Sequence, residues 1–334
     1  MNEGPREQKS VALTVLLFGL VPLLNAEVLT GSTSVDALLS NPILIVISLP
    51  LVLVTYAIPL AVLCDLAARF RFGLRGIFLS GLIYGIINEA VFAKTLIAPY
   101  WPGVQFANFR FLGLNILWLP NILIFHALIS TTVTILVIQS LWPERVSKSF
   151  LEKKHYVSLG VLLAVAIVIT NVVFVPLIAK NLGHSPPFEA LPYFLLLLLS
   201  LSFVFLIKMS LRQRSVFGVR RAVSPVYVYV LAGAAIFVVS NIASHVALAF
   251  VNAWVAGAII ILSGCLFYVY FSTLDLDAEL TKRKTFFVYS TFIAIVLIFG
   301  FGGRQPVSNL VAFAGVAFEL FFGWRSTAAR VLTS

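Results

Sequence analysis

The chain alternates between long apolar runs and short polar connections. Runs at 11–27, 42–66, 76–98, 113–141, 157–179, 190–207, 226–249, 254–273, 286–302 and 307–323 are mostly near the roughly 20 residues that a helix needs to cross a bilayer. The pattern predicts an all-α, polytopic transmembrane helix bundle of about ten spans. It forms a single transmembrane domain over 1–334, because no connection is long enough to hold a soluble one. The connections show no Gly-rich phosphate loop, no Cys/His metal cluster and no strand pattern. Any chemistry is therefore expected inside the membrane or at its faces, and no cofactor is implied.

Composition agrees with that reading. Hydrophobic residues make up 60% of the chain and charged residues 11%, with 29 Phe and a mean hydropathy of +1.04. Those figures exclude both a water-soluble domain and a disordered chain.

The net charge of +10 would suggest nucleic acid if it were spread over one surface. With the N-terminus in the cytoplasm, however, all of the 23 basic residues except Lys94, Arg110, Lys180 and Arg304 fall on the cytoplasmic side. The charge is thus a topology signal. It predicts both termini inside, a multi-pass protein of a plasma membrane, anionic lipid headgroups as partners at the cytoplasmic face, and no nucleic acid.

The start resembles a signal peptide in its basic-then-apolar order. Leu24 is too large for the −3 position of a cut after Ala26, so the first span is expected to stay. Cys64 and Cys265 both fall in spans and read as packing residues rather than as a disulfide or metal ligands. Tyr100, Trp101, Phe106, Phe109 and Phe111 suit the headgroup zone. The short link around Asn252 predicts a tight hairpin between the seventh and eighth spans. Pro22, Pro50, Pro59, Pro120 and Pro176 fall within spans and read as kinks, or as breaks around a transported solute.

An ionisable group in mid-span costs roughly 2.5–3.5 kcal/mol on insertion scales, so each one asks for a partner or a role. Glu89, His126 and Glu319 lie near span centres, and His245 lies nearer the end of the seventh span. Gly81, Gly85 and Glu89 recur at four-residue spacing, which puts them on one helix face with room for a neighbour. His126, Ser130 and Thr134 form a similar stripe in the next span. Glu89 and His126 enter from opposite sides to similar depth, so they are expected to meet as a proton relay, metal pair, acid and base, or interhelical hydrogen bond.

Further polar candidates are Asn88 beside Glu89, Asn121, Asn171 with Thr170, and Asn241 on one face with His245. Gly315, Glu319 and Gly323 repeat the Gly81 pattern, with Arg325 as a candidate ion-pair partner of Glu319. Asp275, Asp277 and Glu279, followed by basic residues, read as a solvated helix end.

Glu89, Ala90 and Lys94 occupy the places of the first motif of the CAAX-protease and bacteriocin-processing family, in which two glutamates precede an arginine. His126 follows Ile122 where that family has phenylalanine, and His245 is followed by Ala249 where it has asparagine. The chain thus resembles that family of intramembrane proteases over the third and fourth spans. The resemblance implies that Glu89, with His126 and His245, activates a water for attack on a peptide carbonyl.

Two other readings stand beside this one: a proton-coupled secondary transporter, and a non-catalytic subunit or scaffold with a membrane-protein partner. A protease needs Glu89 and His126 at a site open to lipid or cytoplasm, and a transporter needs a wet cavity that reaches them. A scaffold needs the pair sealed in close packing, with polar groups on a helix surface meant for another subunit.

Overall fold

The computed structural model describes residues 5–30, 35–40, 42–98, 109–142, 149–185, 189–216, 225–276, 282–301 and 306–328. Tyr100, Trp101, Phe106, Arg145, Lys148, Arg220, Arg221, Asp277, Glu279, Arg304 and Arg330 lie outside these residues.

Among the described residues the helices are α1 Pro5–Pro22, α2 Val35–Ser40, α3 Pro42–Arg69, α4 Leu74–Ile87, α5 Trp118–Phe125, α6 Thr134–Leu141, α7 Lys153–Val168, α8 Val175–Asn181, α9 Ala190–Val216, α10 Val226–Phe250, α11 Ala253–Leu276, α12 Lys282–Phe301 and α13 Pro306–Ala328. Among the described residues, nine stretches are long and apolar enough to cross a membrane, and a shorter tenth covers Lys284–Ile298. The protein is a polytopic membrane protein. One expectation fails at small scale: Arg110–Phe111 and Leu114–Asn115 form a two-stranded antiparallel ladder ahead of α5, β1 and β2, around Gly113 at φ 81°. The tight hairpin between α10 and α11 is present, with Asn252 Oδ1 accepting from Val255 N at 2.9 Å.

Among the described residues, four spans contain π-helical segments: Leu23–Val28 after α1, Asn88–Phe92 after α4, His126–Val133 between α5 and α6, and Ile169–Phe174 between α7 and α8. Each widens the helix by one residue per turn. Leu29 N bonds Leu24 O, Ala93 N bonds Asn88 O, and the hydroxyls of Thr132 and Thr134 reach the carbonyls of Ala127 and Ile129, all five residues back. Pro176 gives the last segment a local cause, since it offers no N–H to the carbonyl four residues earlier.

The core is formed by the third and fourth spans. Of Trp118–Leu141, 78% is buried, and of Leu74–Phe92, 67%, against 17% of Ala190–Leu211 and 11% of Val226–Phe250. Small residues permit this packing. A Cβ on Gly81 would meet Ala127 Cα at 2.6 Å, and one on Gly85 would meet His126 Cβ at 3.1 Å.

Aspartates tie the helix ends together. Asp65 is fully buried and accepts from Phe150 N at 2.5 Å, Leu151 N at 2.8 Å and the Tyr156 hydroxyl at 2.6 Å, with Arg69 at 3.3 Å. Asp275 is not a solvated helix end. Its carboxylate caps α4 by accepting from Leu74 N at 2.6 Å and Arg75 N at 3.1 Å. Asp36 caps α13 through Ser308 N at 2.9 Å and the Ser308 hydroxyl at 2.7 Å, and that hydroxyl holds its carboxyl below the usual range.

Asp65→Ala leaves two backbone N–H groups and a tyrosine hydroxyl without their acceptor. A loss of about 2–4 kcal/mol is expected, seen as a lower thermal midpoint and faster proteolysis at 149–152. Asp65→Asn, which keeps one acceptor oxygen, should lose less. An unchanged midpoint for Asp65→Ala would show that the carboxylate anchors nothing.

Candidate functional site

Glu89 and His126 meet. His126 Nε2 lies 2.7 Å from Glu89 Oε1, and the two residues are only 2% and 6% exposed. With Nε2–H donating to the carboxylate, His126 Nδ1 is free to accept the Ser130 hydroxyl at 2.9 Å, one helical turn further on. The Asn88 amide nitrogen stands 3.3 Å from His126 Nε2 and 3.5 Å from Glu89 Oε1. The other carboxylate oxygen accepts from the Thr95 hydroxyl, and Thr95 Oγ1 in turn accepts from Trp118 Nε1 at 2.8 Å.

This geometry follows from where α4 ends. The wide turn closes at Phe92, and Lys94 adopts φ 62°, which folds the chain back so that Thr95 reaches a carboxylate six residues earlier. Glu89 is therefore three residues from the end of its helix, and His126 is eight residues, roughly 12 Å of helix rise, into its own. The pair sits toward the face where α4 ends and α5 starts rather than at mid-span. The expected run to residue 98 is shorter because Lys94 leaves the helix. Its Nζ donates to Ala90 O at 3.1 Å and to the Tyr193 hydroxyl at 2.8 Å.

Aromatic rings close the site. Tyr84 packs edge-on to His126 with ring centroids 5.4 Å apart, Phe125 lies at 5.7 Å and Tyr56 at 6.4 Å. The Tyr56 hydroxyl donates to Glu27 Oε1 at 2.6 Å, which joins the π segment of the first span to the same cluster. The Tyr84 hydroxyl is buried and makes no hydrogen bond to the described residues.

The other candidates lie apart from this pair. Asn171 bridges spans, donating to Val91 O at 3.2 Å and Ile167 O at 2.9 Å, and so pins the fifth span to the π segment that carries Glu89. Asn121 and Asn241 face a cleft of about 70 Å³ between α5, α10 and α11, together with Ser240, Ser244 and Ser263. His245 is exposed on α10 beside that cleft, with Nδ1 2.8 Å from the Asn241 carbonyl of its own helix. Glu319 is 3% exposed and lies beside Asn25 and Tyr289, not in an ion pair with Arg325. Glu27, Tyr56, Tyr84, Thr95 and Trp118 were not singled out from the sequence.

Among the described residues no group of three or more His, Cys, Asp or Glu side chains is arranged to hold a metal ion. A membrane protein family, described as uncharacterized, matches the chain over residues 16–333. The chain belongs to that family. No curated protein and no solved structure matches it. The family match gives no support to the resemblance with the CAAX-protease and bacteriocin-processing family.

Removing one member of the pair strands the other in a buried, water-poor site. Glu89→Gln and His126→Phe are each expected to lose about 2–4 kcal/mol of stability, while the double variant loses less than their sum by about 1–3 kcal/mol. Thermal unfolding of the four proteins in one detergent gives the coupling. Strict additivity would show that the bond contributes nothing.

Proposed function

We propose that the protein is a non-catalytic membrane subunit or scaffold, in which the Glu89–His126 pair clamps its own core and the polar face of α10, beside the small cleft it shares with α5 and α11, packs against a helix of another membrane protein. The sealing of the pair supports this reading most. Both carboxylate oxygens and both imidazole nitrogens have partners within the chain, three aromatic rings cover them, and neither residue lines the clefts at Asn121 or His245. A buried network satisfied in this way stabilises one packing and leaves none of the pair's polar atoms without a partner.

The second support is the surface of α10. It is the least buried of the long apolar helices, yet it carries Ser240, Asn241, Ser244 and His245. Asn241, Ser244 and His245 each bond a carbonyl of α10 itself, and a polar side chain on a partner helix, unlike hydrocarbon, can meet their remaining donor and acceptor positions.

A protease-like hydrolase fits less well. Ala90 replaces the second glutamate, Lys94 is engaged by Ala90 and Tyr193, and His245 lies on a different helix surface. A proton-coupled secondary transporter is the second reading, and the four π segments favour it. They carry Asn25, Glu27, Glu89, His126 and Asn171, and wide turns of this kind recur at functional sites. On that reading the structure is an occluded state. In either case the excess of Lys and Arg supports a plasma-membrane location with Arg69, Arg75, Lys154 and Lys208 at the cytoplasmic face, against anionic headgroups.

Two measurements separate these readings. In proteoliposomes with an imposed pH gradient, the scaffold reading expects proton movement no faster than in empty vesicles, for the natural chain and Glu89→Gln alike. Flux above that background that Glu89→Gln abolishes would overturn it in favour of transport. A photo-crosslinking residue at position 240, used in native membranes, is expected to give a protein adduct that the same residue at exposed position 161 on α7 does not. Lipid adducts alone at both positions would count against a docking face.

A further inference from the structure

A second carboxyl in the bundle has no counter-charge among the described residues. Glu319 on α13 is 3% exposed, and Asn25, on the π segment of the first span, is fully buried beside it. Both atoms of the Asn25 amide and Glu319 Oε2 are buried without a hydrogen bond of normal geometry. Tyr289 from α12, also fully buried, lies close to Glu319, and its hydroxyl donates to Ser140 Oγ on α6 at 3.4 Å. Four helices thus bring polar side chains to one buried point. Close packing fixes it there, since a Cβ on Gly315 would meet Leu24 Cδ1 at 2.5 Å.

The groups facing Glu319 make the imbalance clear. The described part of α6 contains no ionisable residue, and α12 presents Tyr289. The nearest acid on the π segment, Glu27, is held by Tyr56. On α2, Asp36 is engaged at the far end of α13, and Arg325 lies exposed beyond Glu319. No ion pair among the described residues includes Glu319. A carboxylate taken from water into such a place requires a positive charge close by.

We propose that Glu319 and Asn25 form a binding site for a small monovalent cation, either a proton or a sodium ion. The carboxyl supplies the charge and Asn25 Oδ1 a neutral oxygen ligand, as oxygen-only sites at broken membrane helices do. One acid and one amide suit a hard monovalent ion rather than a transition metal. The same π segment turns Asn25 toward Glu319 and Glu27 toward Tyr56, whose ring packs on His126. Occupancy of this site therefore bears on the position of the segment that adjoins the Glu89 cluster.

The test uses the full chain purified in detergent, and its thermal midpoint is the readout. The midpoint is followed from acid to alkaline pH and, at alkaline pH, as choline chloride is replaced by sodium chloride at constant ionic strength. A cation bound only by the folded form raises the midpoint by mass action. The natural chain is expected to gain stability with sodium if sodium is the occupant. If the proton is the occupant, it gains with falling pH relative to Glu319→Gln and ignores sodium.

Glu319→Gln, whose amide needs no counter-charge, is expected to lose the response in either arm. Asn25→Ala is expected to raise the half-maximal cation concentration about tenfold, the loss of one hydrogen-bond-scale contact. The proposal is overturned if Glu319→Gln keeps the natural chain's response, or if the natural chain shows neither response. Should Glu319→Gln not fold, an unchanged half-maximal concentration in Asn25→Ala overturns it equally.

Discussion

The approach of α4 to the span that holds His126 is the contact on which the polar interior depends. In lipid, helices gain nothing from hiding apolar faces from each other, so association rests on packing and on hydrogen bonds between spans. Gly81 and Gly85 let the α4 backbone lie directly against Ala127, Leu123 and His126. Only at that separation can a glutamate side chain span the gap to an imidazole at 2.7 Å. The bond and the packing thus support each other. Larger residues at the two glycines would separate the helices and leave both polar groups unpaired.

The wide turns serve the same arrangement. A regular α-helix repeats its face every 3.6 residues, whereas an extra residue in one turn rotates the remainder of the helix about its axis. The wide turn at Asn88–Phe92 carries Glu89 at its start, and Asn171 reaches across to the Val91 carbonyl of the same turn. The freed carbonyls are met locally by Thr132, Thr134 and Asn171, each donating back along its own helix. In a bilayer those carbonyls have no water to turn to, so the hydroxyl and amide side chains help to make the wide turns tolerable.

Much of this was legible in the sequence, for reasons that can be named. The apolar runs show the spans because a bilayer imposes a length, and the four-residue spacing of Gly81, Gly85 and Glu89 shows a shared face because a helix imposes a period. The same logic leads from His126 to Ser130. What the sequence does not carry is the register between distant spans. Nothing local to Asp65, Asp275 or Asp36 says that each one serves a backbone segment more than 80 residues away, and Thr95 becomes visible only once Lys94 leaves the helix. His245 shares the spacing of Asn241 yet lies on α10, which packs on α11 and α12 and stays apart from the core pair.

The two buried glutamates differ in a way that bears on what the bundle can do. Glu89 has a nitrogen partner and two further donors, so both of its oxygens are hydrogen-bonded within the chain and its surroundings gain little from any ligand. Glu319 is closely packed too, with a close glycine on its own helix, but among the described residues the groups placed beside it are an amide and a phenol. A satisfied network rigidifies, while an unsatisfied one remains responsive to whatever completes it. The first span touches both, through Glu27 and Tyr56 on one side and Asn25 on the other. A movement of that span would disturb the Asn25 and Tyr56 contacts together, so it is an element through which a change in charge at Glu319 would be felt at Glu89.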